Sequence, residues 1–522
     1  MAHSKTPSFV TEIPLTVDST QEKELLARFQ AARQLYNACL NEALVRINLV
    51  RSSELYQQAK KLRGGSKKER QDLFNQAREL YRFNDYALKT FATQTANHSK
   101  WITSKLGAHE KQTIGTRAFK AVEKILFGQV KKVRFKVTTR FKSLEGQSNA
   151  TGIRFINNKV LWKKLILNPI IDWNNPVLVH GLNSPVKYCR IIWRNLNGKR
   201  RWFVQLINEE LPYQKPTNYV TQGIVGLDVN ISNVAFVADN KAGLLPFAEK
   251  VPTFEREIKA LQRKMQRSQR MHNPDNFEAD FDKKVGNRIV RKKGKVKKGK
   301  KQWIKTRNYR AHAAKKAELE RRKAAYAKSQ NRKLVNEILR HGNQIKTEKV
   351  SIKGWQKRYG KAISAKSPGY FQSELKRKAV SEACAKRINA GGYFLTFSTS
   401  YTALSQTHLD GTRIKKSLSQ RVHKDVTGFV MHRDLFSAFL SRCVYNNKLS
   451  LWDAQCEYPG TEPFLLDGWQ QYKSANQVAE RVREACPQGI SRNSYSSSEQ
   501  MSNEALTSDQ IVIKDDKLEG NA

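Results

Sequence analysis

Residues 223 to 230 read Gly-Ile-Val-Gly-Leu-Asp-Val-Asn, an apolar run with one carboxylate, Asp228, set inside it. A run this short and this rich in aliphatic residues is a strand. An ionised side chain buried in such a strand is costly unless a cation or hydrogen bonds compensate it, which makes a metal ion plausible there. Val234 to Ala238 and Leu244 to Ala248 supply two further strands at hairpin distances. Three consecutive strands at hairpin distances make an antiparallel sheet whose first strand carries the carboxylate.

Two more acids fit the same frame. Glu348 lies in Gln344-Ile-Lys-Thr-Glu-Lys-Val-Ser-Ile352, a strand that follows a helical insertion and can pair beside the first. Asp434 lies in Val430-Met-His-Arg-Asp-Leu-Phe-Ser-Ala-Phe-Leu440, where Leu435, Phe436, Phe439 and Leu440 form the apolar face of a helix and Asp434 falls in its first turn. A first-turn acid also has a purely structural use, because it favours the helix dipole. Three hard oxygen ligands from two strands and a helix suit Mg²⁺ or Mn²⁺, which keep positions open for water and phosphate oxygens. Two such ions roughly 4 Å apart would activate water and stabilise the leaving oxygen of an in-line displacement.

Charge narrows the partner. The 522 residues include 95 Lys and Arg against 46 Asp and Glu, a net charge of +49, with 39% hydrophobic residues left to build cores. An excess this large attracts a polyanion through Coulomb forces and counterion release. Nucleic acid therefore leads over a membrane surface or a ribosomal-type structural role, and no basic helix with a clean apolar face favours the membrane. No acid occurs between Asp282 and Glu318. Within that stretch Arg291, Lys292, Lys293, Lys295, Lys297, Lys298, Lys300 and Lys301 are candidate contacts to a nucleic-acid backbone, on an unfolded or loosely helical tip; a solvated charged loop is the plain alternative.

Around these features the chain reads as a multidomain α+β protein. Residues 8 to 17 form a strand, Asp18 to Glu22 a helix start, and leucines from Leu25 to Leu44 continue at helical spacing, with more helix to about 128. From 131 to 211 short strands take over, among them 190–194 and 201–206, joined by Asn197-Gly198, a pair suited to a tight hairpin turn. Trp193, Trp202 and Phe203 alternate with arginines there, a pattern that can stack bases but in a sheet more often marks core. Cys39, Cys189, Cys384, Cys443, Cys456 and Cys486 never form a C-x-x-C pair, which argues against a disulfide framework and a thiolate zinc site. No apolar leader or spanning run is present, so a soluble, cytoplasmic, nucleoid-associated protein is expected.

Taken together, Gly226-Leu-Asp-Val, Thr347-Glu-Lys-Val-Ser-Ile-Lys-Gly-Trp355, Leu404-Ser-Gln-Thr407, Lys416-Ser-Leu-Ser-Gln-Arg421 and His432-Arg-Asp-Leu-Phe-Ser-Ala438 resemble the three RuvC motifs of the TnpB proteins of bacterial insertion sequences. Those proteins are similar in turn to the small type V CRISPR effectors. Arg134-Phe-Lys, Ser143 to Ser148 and Thr151-Gly-Ile-Arg154 resemble the family's β domain. The resemblance implies an RNase H-like (RuvC) nuclease core, a small β-barrel (wedge) domain and a helical recognition domain. It implies a guide RNA, a double-stranded target DNA read by base pairing, and Asp228, Glu348 and Asp434 as the catalytic metal ligands. The expected layout is an N-terminal strand (1–20) joining the β domain, helical recognition (21–130), wedge (131–215), a first core segment (221–397) with a basic helical insertion (253–340), a zinc-ribbon-like insertion (398–429), a second core segment (430–480) and a disordered tail (487–522).

One departure stands out. Where the family carries paired zinc cysteines this chain has His408, Asp410, Asp425 and Thr427, so a tetrahedral thiolate site cannot form and Zn²⁺ is expected to be absent. His423 lies close by, which leaves a weak mixed His/Asp site open. Three readings follow: an RNA-guided endonuclease, a guide-loaded DNA-binding protein whose cleavage has weakened, and a transposase that joins DNA strands itself.

Overall fold

The computed structural model describes residues 7–62, 67–218, 220–286, 288–299, 301–380, 392–417 and 420–484. Lys300, Cys384, Cys486, residues 418–419 of the Lys416–Arg421 motif and the 487–522 tail lie outside them. The chain divides into two compact units, Met1–Thr217 with Pro252–Ala325 and Asn218–Val251 with Tyr326–Ala522.

The first unit opens with β1 (Phe9–Thr16) and α1 (Ser19–Ser52). Asp18 accepts the N–H groups of Thr20 and Gln21 at 2.8 Å while the Gln21 side chain takes the Asp18 N–H, so the helix start is held reciprocally. Leu25, Phe29, Leu35, Leu40 and Ile47 give α1 one buried face. Helices α2 (Glu54–Lys61), α3 (Lys67–Leu80), α4 (Asp85–Asn97), α5 (Lys100–Lys105) and α6 (Ala108–Leu126) follow, and α4 and α6 pack on α1. Next come β2 (Ser143–Glu145), β3 (Ile153–Ile156), β4 (Lys159–Trp162), β5 (Leu165–Pro169), α7 (Pro176–Asn183), β6 (Val186–Leu196) and β7 (Lys199–Asn208).

Their sheet has the order β2-β6-β7-β1-β5-β4-β3, so the N-terminal strand lies at its centre. The end strands β2 and β3 are not hydrogen-bonded to each other among the described residues. The two ends nevertheless approach each other, since the Ile153 carbonyl oxygen of β3 lies 3.2 Å from where a β-carbon on Gly146, the residue after β2, would stand, and β3 packs on β6. Asn197 and Gly198 turn β6 into β7 with φ of 49° and 77°, a left-handed pair that Asn and Gly adopt at least cost. Trp193 and Trp202 are buried in the shared core with Phe29 and Phe141, so both serve packing.

The second unit begins with β8 (Ile224–Val229), β9 (Asn233–Val237) and β10 (Ala242–Pro246). The chain then enters α8 (Val251–His272), β11 (Phe281–Val285), β12 (Arg288–Lys292) and α9 (Arg307–Leu339). Residues 252–325 cluster with the first unit. One correction concerns the basic tip, expected to be unfolded or loosely helical, which begins as a β-hairpin. Val285, Ile289 and Val290 favour extended backbone, Gly286 turns with φ of 59°, and Asp282 stands opposite Arg291. Asp280 secures the hairpin's exit by accepting the Gly294 N–H and pairing with Lys293, both at 2.9 Å.

The second unit continues with β13 (Gln344–Glu348), α10 (Ile352–Lys366), α11 (Pro368–Ala379), β14 (Tyr393–Phe397), α12 (Thr399–Thr402), β15 (Val422–Lys424), β16 (Val430–His432), α13 (Arg433–Arg442), β17 (Val444–Tyr445), β18 (Lys448–Leu449) and α14 (Leu451–Glu484). Its five-stranded sheet has the order β10-β9-β8-β13-β14. The first three strands are antiparallel, and β13 and β14 run parallel to β8. Val225, Leu227 and Val229 on one face bury against Val335, Ile338 and Leu339 of α9 and Phe371 and Leu375 of α11. Ala235, Val237 and Leu244 on the other face bury against Leu435, Phe436 and Phe439 of α13 and Leu465 of α14. Cys39, Cys189 and Cys443 are free and buried, and Cys456 is free and exposed. No helix among the described residues is long and apolar enough to cross a membrane.

Candidate active site

Side-chain alternation and register place the three acids. On β8 the residues facing α13 are Gly226 and Asp228, because Val225, Leu227 and Val229 point the other way. The parallel pairing of β8 with β13 matches Lys346 to Gly226 and Thr347 to Leu227. One step further, Glu348 stands beside Asp228 at the C-terminal ends of neighbouring parallel strands, and in-register neighbours share a face. The crevice outside such strand ends is where open α/β sheets place ligands.

Helix α13 supplies the third acid by lying closely on β8. A β-carbon on Gly226 would sit 2.0 Å from the carbonyl oxygen of Ala438, so only glycine admits the helix there. Asp434 is one helical turn before Ala438 and Asp228 is two residues beyond Gly226, which brings the carboxylates toward each other. Lys346 fixes the far end of the helix. Its buried ammonium donates to the carbonyl oxygen of Arg442 at 2.6 Å and lies 3.7 Å from the centre of the Tyr445 ring.

Electrostatics register this proximity. Burial pushes the Asp228 carboxyl well above the usual aspartate range, and the negative charges of Asp434 and Glu348 push it further; Arg433 and Arg421 work against them. Burial also raises Glu348, opposed by the backbone N–H of Leu404. Asp228 and Glu348 keep part of their surface open to solvent, whereas Asp434 is 2% exposed. Asp434 has the Arg421 guanidinium at 3.4 Å and Arg433 Nε at 3.5 Å, and its own N–H donates to His432 Nδ1 at 3.2 Å. None of Arg421, Arg433, His432 and Lys346 is singled out in the sequence as a site residue, although all four stand within segments quoted above. For His432 and Arg433 the available signal was adjacency to Asp434 in the chain; for Arg421 and Lys346 there was none.

No protein-family model matches the sequence, and no curated protein matches it. Among solved structures, a Cas12f1–sgRNA–target DNA complex studied by cryo-EM aligns over 83% of this chain and 98% of that chain, at 10% identity and a TM-score of 0.41. A CRISPR-Cas12f ternary complex aligns over 83% of this chain and 82% of that chain, at 11% identity and a TM-score of 0.28.

The other candidates separate into two groups. His408, Asp425 and His423 are buried together, with one potential ligand atom from each within 4.8 Å of the others. Asp410 is exposed and accepts the N–H and hydroxyl of Thr412, and Thr427 is exposed and donates to Asp425. Neither joins the buried set. Arg291, Lys292, Lys295, Lys297, Lys298 and Lys293 are exposed on or just after the β11–β12 hairpin, and Lys301 is half-buried. Every residue of both hairpin strands faces solvent, Ile289 at 76% exposure, so the hairpin presents cations and aliphatic side chains with no core beneath them.

Proposed function

We propose that this chain is an RNA-guided DNA endonuclease of the transposon-encoded TnpB kind, hydrolysing phosphodiester bonds at one RuvC-like site. The observation that carries this reading is the placement of Asp228 and Glu348 on neighbouring strand ends with Asp434 on the helix that packs over them, the Asp228 carboxyl being pushed up by burial and then by the charges of Asp434 and Glu348. Three antiparallel strands followed by two parallel ones, with acids on the first and fourth, support an RNase H-like core. The charge of +49 supports guide RNA and target DNA as partners.

The donor chemistry suits Mg²⁺ or Mn²⁺, although the three carboxylates are not drawn within 4.8 Å of one another as His408, His423 and Asp425 are. All three groups are carboxylates, and a divalent cation would relieve the like-charge repulsion that raises Asp228. When bound, such ions supply activation of water and polarisation of the phosphodiester. The protein's role is positional: β8 and β13 hold two carboxylates side by side, the Gly226 contact seats α13, and Arg421, 55% exposed beside Asp434, is free on its solvent side to meet a phosphate.

The test is Mg²⁺-dependent cutting of guide-matched DNA by the purified ribonucleoprotein. Asp228→Ala should abolish cutting and leave guide binding intact; cutting that persists in the variant removes the assignment. A second reading, a guide-loaded DNA-binding protein with weakened cleavage, is favoured by the pairing of Asp434 with two guanidinium groups, which compete with a metal for that carboxylate. Guide-dependent target binding with no cutting in Mg²⁺ or Mn²⁺ would select it.

A further inference from the structure

The resemblance read from the sequence implies a zinc ribbon between the second and third motifs, and the residues standing there do not fit that metal. His408, His423 and Asp425 come within 4.8 Å of one another, as three ligands would, but the Asp425 oxygens, both His423 nitrogens and His408 Nδ1 already have partners. Asp425 Oδ2 accepts the His423 Nε2–H at 2.8 Å and the Leu409 N–H at 3.1 Å, and Oδ1 accepts the Thr427 N–H at 3.1 Å and hydroxyl at 2.9 Å. A distance of 2.8 Å is a hydrogen bond; two ligand atoms on a tetrahedral zinc with bonds of about 2.0–2.1 Å stand about 3.3 Å apart. His408 lies at that wider distance from Asp425, 3.3 Å, but its Nδ1 accepts the Val426 N–H at 3.1 Å.

The outer partners have the wrong polarity as well. A histidine that ligates a metal turns its other ring N–H toward an acceptor. His423 does the opposite, since its Nδ1 meets the ammonium of Lys416, a group that can only donate. His408 Nε2 is buried and has no partner at all. Burial holds the His423 imidazole down, at about 4, so the ring is neutral and the opposite charges sit on Lys416 and Asp425.

We propose that the Lys416 ammonium is the structural cation of this segment, standing where relatives would hold zinc. Lys416 donates to His423 Nδ1, and His423 Nε2–H donates to Asp425, whose oxygens gather the Leu409 and Thr427 N–H groups. The chain of bonds ties the 407–417 loop to the β15–β16 hairpin, and it sets a positive charge one imidazole away from the buried Asp425 carboxylate. It also reaches the active site, because the His423 ring stacks on Phe436 of α13 with centroids 4.4 Å apart, and α13 carries Asp434. A tether built into the chain needs no metal supply and cannot be removed by a chelator.

The test uses the full-length protein purified without chelator, its zinc content measured by elemental mass spectrometry and its thermal midpoint measured with and without 1,10-phenanthroline. Substoichiometric zinc and an unchanged midpoint are expected; one zinc per chain whose removal lowers the midpoint overturns the proposal. Lys416→Met should lower the midpoint by roughly 5 °C and Lys416→Arg by less, as loss or retention of the half-buried cation that holds His423 requires. A Met variant that melts with the wild type also overturns it, while the zinc and chelator measurements stand even if that variant does not fold. None of these readouts depends on nuclease activity.

Discussion

Ala438 of α13 offers its carbonyl oxygen to β8 at the one place where Gly226 leaves room, 2.0 Å from where a β-carbon would be. Arg442 Cγ and N lie 2.8 and 2.9 Å from the same point, so backbone on two turns of the helix would have to move to admit a methyl group. Gly226→Ala should therefore displace α13, costing about 1–3 kcal/mol or more as overpacking does. Cleavage should fall further than guide binding, because the helix that shifts carries Asp434. Denaturant midpoints and cleavage rates check this; a variant with wild-type values in both would mean that α13 does not seat on β8.

The raised carboxyl of Asp228 makes a pH prediction for protein stripped of divalent ions. Its folded-state pKa lies above the unfolded one, so the folded state binds more protons and stability falls as pH rises from the ordinary carboxylate range through the raised value. Glu348 contributes in the same direction. Asp228→Asn should thus stabilise the metal-free protein at neutral pH and make little difference in acid. Mg²⁺ or Mn²⁺ should raise the wild-type midpoint by binding the folded state and should raise that of the Asn variant less. Thermal melts across pH, with and without the ion, decide; equal shifts in both proteins would place ion binding elsewhere.

The strand carrying Asp228 was legible because its chemistry contradicts its surroundings, and the Asn197-Gly198 turn because few residues take left-handed φ cheaply. Register was not legible. Nothing in Gln344 to Ile352 alone says that Lys346 pairs with Gly226, which is what sets Glu348 beside Asp228. The hairpin at 281–292 was missed because charge density hid the β-branched Val285, Ile289 and Val290, and because Asp282 was read as the border of the basic run when it stands opposite Arg291 across the strands. In the 398–429 segment the missing cysteines were visible, but the role of Lys416 was not, since a lysine among many gains meaning only from what its ammonium meets.

Lys346 holds the C-terminal end of α13 through the Arg442 carbonyl, a contact that a cation near a helix C-terminus strengthens. Lys346→Met keeps most of the volume and removes the donor, leaving that carbonyl without the lysine. A loss of about 1–3 kcal/mol is expected, the usual cost of a buried group deprived of its hydrogen bond. Because burial already holds the Lys346 ammonium down, some of this loss is offset by the smaller desolvation of methionine, so the lower half of the range is the expected value. Chemical denaturation measures it, and a stabilised variant would show that burial of the charge outweighs the tether.

The β11–β12 hairpin is exposed at every residue, so its cations can be changed without touching a core. Arg288, Arg291 and Lys292 replaced together by Gln should leave the thermal midpoint within the scatter of surface substitutions, about 0.5 kcal/mol. If these side chains meet phosphates, affinity for nucleic acid falls and the dependence of log K on log salt becomes shallower, by about 0.7 for each phosphate no longer neutralised on a single strand and 0.9 on a duplex. The two substrates therefore give different slopes for the same triple variant, and comparing guide RNA with duplex DNA tells which one the hairpin grips. Ile289 adds an independent check, because an aliphatic side chain 76% exposed on a cationic hairpin has no stake in the salt term. Ile289→Ala should weaken binding with the slope unchanged if the side chain wedges against bases, and should have no effect if the hairpin only follows the phosphates. Slopes identical to wild type in the triple variant on both substrates would return the hairpin to a solvated loop.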